Sequence, residues 1–234
     1  MKKTYQEACD DIKKSSDTEV REPSALSSSE ARVLDQRRGP EPDKYPYQGS
    51  YTVKDMLEMP EKSNAELIDG VIYDRGAPTL PHDIIVTTLV RRLADFMDDV
   101  HGSCHVFGSN VDIQLFPDSD RYFLEPDISV ICDRDKWKNG EWIIGAPDLV
   151  IEVLSKSTRS RDMGIKLWRY HDSGVREYWI IDPKREIVTV YKFAEDMENT
   201  QVNAYDFTEK VPVGIWDDTL EIDFADIHRR IQEL

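Results

Sequence analysis

The pattern of apolar positions divides the chain into a polar N-terminal segment and a patterned remainder. Residues 1–48 carry few apolar side chains, are rich in Ser, Glu, Lys, Asp and Pro, and show no sustained period. From about Tyr51 onward, apolar positions recur at the spacings of helices and strands. We therefore predict a disordered N-terminal extension over residues 1–48 and one folded domain over residues 49–234.

Several segments have the spacing of amphipathic helices, with apolar residues three or four positions apart. A short helix is predicted after Thr52, which can cap it, and before Pro60, which ends it. Longer helices are predicted from about Pro81 to Val100, from about Thr158 to Asp172, and near the C-terminus from Phe224 to Leu234.

The remaining apolar runs predict strands. The sequence AELIDGVIYDRG is apolar on both sides of Asp69-Gly70 and predicts a strand pair with a tight turn. The order of helices and strands indicates an α/β domain with a central mixed β-sheet flanked by helices. Short C-terminal strands follow a polar linker, and the other strands are predicted over Cys104–Phe116, Phe123–Cys132, Asp148–Leu154, Glu177–Ile181 and Ile187–Tyr191.

One predicted strand contains a carboxylate where a buried strand should contain only hydrocarbon. The run Asp148–Leu154 is apolar on both faces, which is typical of a central strand covered on both sides. Glu152 shares one of these faces. Burying an unpaired carboxylate costs several kcal/mol, so Glu152 should be neutral, paired or bound to a metal.

Three other charged residues lie in apolar surroundings, and each has a structural interpretation as well as a functional one. Asp127, in LEPDISVI, could be a strand-end residue that accepts backbone hydrogen bonds. Glu66, in ELIDGVI, could be a solvated residue at the start of a strand. Lys166 follows Glu152 on a predicted helix and lies on or beside its apolar face, where it could extend its ammonium group to water.

Together, two carboxylates on neighbouring strands and a lysine on the next helix favour phosphodiester chemistry. Carboxylate oxygens suit Mg²⁺ or Mn²⁺, which keep bound waters and accept phosphate oxygens. Such an ion polarises a phosphodiester and lowers the pKa of a bound water, and a nearby ammonium group stabilises negative charge in the transition state. The sequence contains no Walker-type glycine loop, so hydrolysis is favoured over nucleoside triphosphate turnover.

The ordered motifs ELIDG, EPDISVI and GAPDLVIEVLSKSTRSRDMGIKLWRYHDSGVREYWIIDP resemble the Uma-two family of predicted endonucleases, a branch of the PD-(D/E)XK superfamily. The resemblance covers about residue 51 to the C-terminus, and its most specific part is Pro147–Pro183. It implies a restriction-endonuclease-like core and a divalent-metal-dependent endonuclease that acts on DNA, with RNA as the alternative substrate.

The resemblance also implies roles for individual residues. Asp127 matches the Asp of the PD element and Glu152 matches the acidic residue of (D/E)XK, so both are implied metal ligands. Glu66 matches an upstream acidic residue of the site. Leu154 stands where the superfamily usually has its lysine, and Lys166 matches the lysine that this family carries on the following helix.

Residues near these motifs allow two interpretations. His82 matches a histidine near the start of the family's long helix, but a histidine there often serves only in capping or packing. Ser155, Ser157 and Thr158 most simply cap the helix that follows, although hydroxyl groups at that position could also contact a phosphate.

The charge of the chain argues against tight, non-specific DNA binding. The net charge is −16, and residues 49–234 carry 21 basic against 36 acidic side chains. The segment Lys156–Arg169 is locally basic, with the single acid Asp162. We therefore expect weak, salt-sensitive DNA binding unless a homodimer pairs two such segments.

The cysteines and the hydropathy indicate a soluble cytoplasmic protein. Cys9, Cys104 and Cys132 are odd in number and widely separated, which favours a reducing compartment and argues against a structural zinc site. No apolar run approaches the ~20 residues of a membrane-spanning helix, and the N-terminus lacks the apolar core of a signal peptide. The alternative to a nuclease is a nuclease-like scaffold that keeps these residues as a buried cluster and serves as a binding module.

Overall fold

The protein is described by a computed structural model over residues 44–59, 64–109 and 111–234. Most of the predicted extension, residues 1–43, lies outside these residues, so its disorder stays a prediction. Residues 44–48 contact the domain. Tyr45 is buried, and the Gln48 amide exchanges two hydrogen bonds with the backbone of Ile72, at 3.0 and 2.8 Å.

The helices follow the predicted positions closely. A capping box formed by Thr52 and Asp55 starts α1. Helix α3 begins with one α-helical turn, continues through a π-helical turn and returns to α-helix. The bounds are α1 Val53–Glu58, α2 Leu80–Asp99, α3 Arg159–Arg161, Asp162–Lys166 and Leu167–Ser173, and α4 Phe224–Gln232. No helix in the described ranges has both the length and the apolar character that crossing a membrane requires.

Twelve short strands were assigned within the described residues. They are β1 Ala65–Ile68, β2 Val71–Asp74, β3 His105–Gly108, β4 Ile113–Gln114, β5 Ile128–Ile131, β6 Ile143–Ile144, β7 Leu149–Val153, β8 Glu177–Asp182, β9 Ile187–Lys192, β10 Gln201–Asp206, β11 Lys210–Pro212 and β12 Glu221–Asp223.

Six of these strands form a central mixed sheet in the order β10-β9-β8-β7-β5-β3. Strands β7 and β8 are parallel, and the other neighbours are antiparallel. Helix α3 connects the two parallel strands, as a parallel pair requires a crossover. The predicted α/β class, with a central mixed sheet flanked by helices, is confirmed.

The core lies on both faces of this sheet, as the apolar pattern of β7 predicts. Leu149, Ile151 and Val153 belong to a cluster with residues of α2 and α4. Val150 and Leu154 belong to a second cluster, with Tyr170 of α3. Strand β7 is therefore covered on both sides, and any polar side chain on it is removed from bulk water.

The predicted hairpin at Asp69-Gly70 is present and lies outside the central sheet. Strands β1 and β2 pair antiparallel, and the two turn residues have φ angles of 56° and 76°. Both values lie in the left-handed region, which glycine adopts freely and which aspartate tolerates better than most residues. All four residues of β1 are buried.

Two predicted strands are shorter in the structure than the sequence indicated. The run predicted as Cys104–Phe116 contains β3 and β4, which belong to different sheets. Of the run predicted as Phe123–Cys132, only Ile128–Ile131 is strand, while Phe123 and Leu124 form isolated bridges. Pro126 interrupts this run because proline has no backbone N–H to donate to a ladder.

A disulfide joins Cys104 and Cys132, with an S–S distance of 2.05 Å. These cysteines flank β3 and β5, where His105 lies opposite Ile131. This pairing was not predicted, because strand register, and not spacing along the chain, brings the two thiols together.

Candidate active site

Two of the predicted site residues lie opposite each other on adjacent strands. In the antiparallel pair β5 and β7, Ile128 is opposite Ile151, so the same register places Asp127 opposite Glu152. The backbone N–H of Val153 donates to Asp127 Oδ2 at 2.8 Å, which fixes the aspartate side chain against β7. Both carboxylates are buried.

Lys166 joins the acids of three elements. Its Nζ lies 2.7 Å from Glu66 Oε1, 2.9 Å from Glu152 Oε1 and 3.5 Å from Asp162 Oδ1. The lysine side chain is only 2% exposed, so it does not extend to water. The structure thus brings together three of the four predicted site residues, Glu66, Glu152 and Lys166, around one ammonium group.

The π-helical turn of α3 directs the side chains of both Asp162 and Lys166 into the protein interior. These two residues begin and end the turn, and both are buried. A π-helical turn contains an extra residue relative to α-helix and shifts the side chains that follow, and such turns are frequent at functional sites. The sequence predicted a helix here and indicated Asp162 only as the single acid of a basic segment, so its burial in the site was not predicted.

Tyrosine hydroxyl groups complete the buried side of the cluster. Tyr170 Oη donates to Glu152 Oε1 at 2.9 Å, and Tyr178 Oη donates to the carbonyl oxygen of Asp162 at 3.1 Å. Both tyrosines were assigned to the core from the sequence, which is correct for their burial. Their hydroxyl groups additionally satisfy polar groups that the apolar core would otherwise leave without donors.

The side chain of Glu66 reaches the site from β1. The side chain of Arg75 reaches it from the position directly after β2. Glu66 Oε1 accepts from Lys166 and from the backbone N–H of Glu125 at 3.2 Å, while Glu66 Oε2 has no hydrogen-bond partner among the described residues. Arg75 Nη1 lies 2.5 Å from Glu125 Oε1, and Arg75 Nη2 lies 3.8 Å from Asp127 Oδ1.

His82, at the start of α2, orients Asp127. Its Nε2 lies 3.1 Å from Asp127 Oδ2. Because an ionised carboxylate only accepts hydrogen bonds, Nε2 carries the proton in this contact. Thr79 caps α2 by accepting from the backbone N–H of His82 at 3.5 Å, so the imidazole itself is free for the site. The capping interpretation of His82 therefore does not describe its side chain.

Burial and charge act in opposite directions on the ionisable groups. Burial raises the pKa of Glu152 to about 8, against the attraction of Lys166 and with the repulsion of Asp162, Asp127 and Glu66. Burial also raises the pKa of Asp162. Burial opposes the charge of Lys166, but the surrounding carboxylates raise its pKa above the usual value, so it stays cationic.

Two acids of the site remain ionised because specific partners overcome their burial. Burial opposes the ionisation of Glu66, but Lys166, Arg161 and Arg75 lower its pKa. Burial likewise opposes the ionisation of Asp127, whose pKa is lowered by the hydrogen bond from His82 and by that from Val153. The site therefore contains ionised and protonated carboxyl groups side by side.

A cleft of about 500 Å³ opens onto these residues. Its floor includes Asp127, Glu152 and Lys166, and its rim includes Arg75 and His82. Ser155 and Thr158, which precede α3, also line it. The cleft thus connects the buried charged cluster to solvent, and its volume is large enough for a small organic ligand.

The carboxylates suit a hard divalent ion, although they do not form a complete cage. In the described ranges, no group of three or more His, Cys, Asp or Glu side chains is arranged to hold a metal. Magnesium, however, is usually held by one or two carboxylates and takes its remaining ligands from water and phosphate. Asp127 and Glu152 meet that requirement at the floor of the cleft, and Glu66 Oε2, which has no hydrogen-bond partner among the described residues, belongs to the same buried cluster.

The predicted basic patch at Lys156–Arg169 is largely neutralised in the structure. Lys166 is buried among acids, Arg159 pairs with Asp182, and Arg169 Nη2 lies 3.0 Å from Asp69 Oδ2. Lys156 is exposed. The segment therefore offers few free cations to a phosphate backbone.

Three contributors to the site were missed from the sequence. Asp162 was hidden by the irregular winding of α3, although its position four residues before Lys166 was a usable signal. Arg75 directly follows the hairpin that contains Glu66, but no pattern in the sequence marked it as a site residue. Tyr170 lies one helical turn after Lys166, so it faces the same side of α3.

Comparison with known proteins gives a consistent result. Residues 53–219 match the model of the Uma2 family, which is described as "Putative restriction endonuclease". The uncharacterized protein slr1290 of Synechocystis sp. is 29% identical over 140 residues, which are 59% of this chain and 71% of that protein.

A solved structure shares the fold. The crystal structure of "a putative nuclease belonging to DUF820" from Anabaena variabilis superposes with a TM-score of 0.62 at 24% identity, and the match covers 76% of this chain and 97% of that one. The two proteins therefore have similar folds.

Proposed function

Because the chain belongs to the Uma2 family, we propose that it is a divalent-metal-dependent endonuclease that hydrolyses phosphodiester bonds in DNA. The observation that carries this proposal is the position of Asp127 opposite Glu152 at the floor of the cleft, with Lys166 Nζ 2.9 Å from the glutamate. The wider assignment to nuclease-like proteins rests on the family and on the fold.

In this proposal, Asp127 and Glu152 hold Mg²⁺ or Mn²⁺, which when bound would polarise the phosphodiester and lower the pKa of a water. The other residues position these ligands. Val153 and His82 fix Asp127 by two hydrogen bonds, at 2.8 and 3.1 Å. Lys166 and Tyr170 do the same for Glu152, each at 2.9 Å.

Lys166 also supplies permanent positive charge at the floor of the cleft. The usual (D/E)XK lysine is replaced by Leu154, so the ammonium group comes from α3 instead. Its contact with both Glu66 and Glu152 places the cation next to the proposed position of the scissile phosphate, where it would stabilise the charge that develops on the phosphoryl oxygens. Glu66 holds the lysine from the opposite side.

A nuclease assay tests the proposal. Single-stranded, duplex and branched DNA, together with RNA, are incubated with Mg²⁺, Mn²⁺ or chelator. We expect metal-dependent cleavage that is lost in Asp127→Asn and in Glu152→Gln. Glu198→Gln is the matched control, because Glu198 is an exposed acid that does not line the cleft. Cleavage that persists in both site variants would disprove the proposal.

One observation favours a second candidate, a nuclease-like scaffold that binds without turnover. The carboxylates already have cationic or donor partners within the chain, because Lys166 contacts Glu66 and Glu152 and His82 contacts Asp127. Titration calorimetry with Mn²⁺ separates the two functions. A nuclease should bind the ion and release a proton near pH 7, since the pKa of Glu152 is about 8. A scaffold should give no binding heat above that of Glu152→Gln.

A further inference from the structure

One wall of the cleft is apolar, in contrast to its charged floor. Six residues from α1 and from the start and first turns of α2 form this wall. They are Met56, Leu57, Met59, Ala77, Pro78 and Val86. Leu57 is 51% exposed although it is a large apolar side chain. Apolar surface beside a charged floor favours a ligand with one flat apolar part and one anionic part.

The cleft is large enough for one such ligand but not for a double helix. A volume of about 500 Å³ lies within the range for single small ligands. The proposed catalytic groups are at its floor, where Asp127 and Glu152 are 5% and 4% exposed. A phosphate within an intact duplex lies on a wide, stiff cylinder, so it reaches buried groups less readily than a phosphate in a flexible single strand.

The charges around the cleft also disfavour binding along duplex DNA. Proteins that bind duplexes non-specifically neutralise several phosphates with Lys and Arg side chains. Here two arginines of the segment that follows β7 already form ion pairs within the chain. Arg159 pairs with Asp182, and Arg169 pairs with Asp69 and Asp172. Binding must then draw more on contact with bases, which are accessible when a strand is unpaired.

We propose that the cleft takes one unstacked nucleotide, so that the substrate is single-stranded DNA or a strand with unpaired nucleotides. The base lies against the α1 wall at Met56 and Leu57, and the phosphate lies at the floor next to Lys166. The proposal rests on the proposed nuclease function and adds the form of the substrate. Apolar and aromatic side chains commonly hold unstacked bases without reading their sequence.

Binding measurements test this inference separately from cleavage. Fluorescence anisotropy with full-length Glu152→Gln in Mg²⁺ compares a single-stranded oligonucleotide, the same sequence as a duplex, and that duplex with an unpaired flap. We expect the single strand and the flap to bind at least roughly tenfold more tightly than the duplex. Equal or tighter duplex binding would overturn the inference.

A wall variant locates the contact. Leu57→Ala should weaken single-strand binding by roughly fivefold and leave duplex binding unchanged. Leu234→Ala is the matched control, because Leu234 is also an exposed leucine, at 66%, and does not line the cleft. Since Leu57 is half exposed, the variant should fold normally, which thermal unfolding checks. An unchanged single-strand affinity in Leu57→Ala would remove the α1 wall from the inference.

Cleavage by the wild-type protein then distinguishes the two proposals. Preferential cutting of single strands or flaps supports both. Equal cutting of duplexes contradicts the substrate form but keeps the nuclease function. Single-strand binding without cutting of any substrate, in either metal, contradicts the nuclease function and keeps the cleft as a binding site for unstacked nucleotides.

Discussion

Two buried glutamates on neighbouring parallel strands have very different surroundings. Glu177, on β8, accepts from the indole of Trp179 at 2.6 Å and from the backbone N–H of Ile215 at 2.7 Å. It does not line the cleft around the proposed site. Glu152, on β7, shares Lys166 with two further acids and opens onto that cleft.

The difference shows that burial alone does not identify a functional carboxylate. Each carboxylate oxygen of Glu177 accepts one hydrogen bond from an N–H group. Among the hydrogen bonds of the described residues, no further acid contacts this side chain. The Glu152 site has more carboxylates than cations, which is an unfavourable arrangement for stability. A divalent ion at the floor of the cleft would favour the ionised form of Glu152, whose pKa burial raises.

The largest expected effect comes from removing the shared cation. Lys166→Met leaves Glu66, Glu152 and Asp162 without their ammonium partner in a buried cluster, and it should lower the free energy of unfolding by about 3–5 kcal/mol. Urea unfolding measures this loss. Lys156→Met is the control, since Lys156 is exposed on the same segment. A loss below about 1 kcal/mol would show that the cluster does not depend on the lysine.

The second effect separates the two glutamates directly. Glu177→Gln exchanges an acceptor oxygen for an amide donor where two N–H groups already point, and it should cost about 1–3 kcal/mol while leaving cleavage intact. Glu152→Gln should cost less than about 1 kcal/mol at neutral pH while abolishing cleavage, because the glutamate with a pKa of about 8 is already largely protonated. The reverse ranking of stabilities would contradict the comparison.

The third effect is a difference in pH dependence. The pKa of Glu152 is raised in the folded protein from 4.5 to about 8, so the folded state binds this proton more tightly than the unfolded state. The resulting stability is fully present below pH 4.5 and is lost as the pH rises to about 8.

This loss is measured against a variant that lacks the titrating group. Between pH 5 and pH 8, the stability of the wild type relative to Glu152→Gln should fall by up to about 1.4 kcal/mol per pH unit. Parallel unfolding profiles for the two proteins over this range would show that Glu152 does not carry a raised pKa.

The smallest effect concerns one hydroxyl group. Tyr170→Phe removes the donor to Glu152 Oε1 and keeps the ring in the core, so it should cost about 1 kcal/mol in thermal or urea unfolding. Cleavage should decrease without being lost, because Lys166 still holds the same oxygen. Tyr191→Phe, on β9, serves as a second core tyrosine variant, and an equal loss of cleavage there would indicate a general packing effect.

Much of this fold could be predicted from the sequence, because the spacing of apolar residues along the chain reflects which positions are buried. The two-sided apolar run of β7 predicted a strand covered on both faces, and the spacing from Leu80 to Asp99 predicted α2 to within one residue at each end. The grouping of Lys166 with Glu152 was predicted from the position of the lysine on the helix after β7 and from the family resemblance, and the structure brings these two side chains together.

The remaining features depend on three-dimensional relations that one chain does not display. Pairing of Cys104 with Cys132 depends on the register of β3 and β5. Burial of Asp162 depends on a departure from regular helical winding. Trp168, although a large aromatic residue, is 53% exposed, because two positions after the buried Lys166 it lies on the opposite side of α3.

Because of the π-helical turn, the site requires a fixed number of residues between Glu152 and Lys166. Glu152 and Lys166 are 14 positions apart, and part of that length is taken up by the extra residue of the turn. Deleting one residue there would allow regular α-helix and would change the position of the lysine relative to the acids. A homologous chain that keeps both residue types but shortens this interval would therefore lack the site.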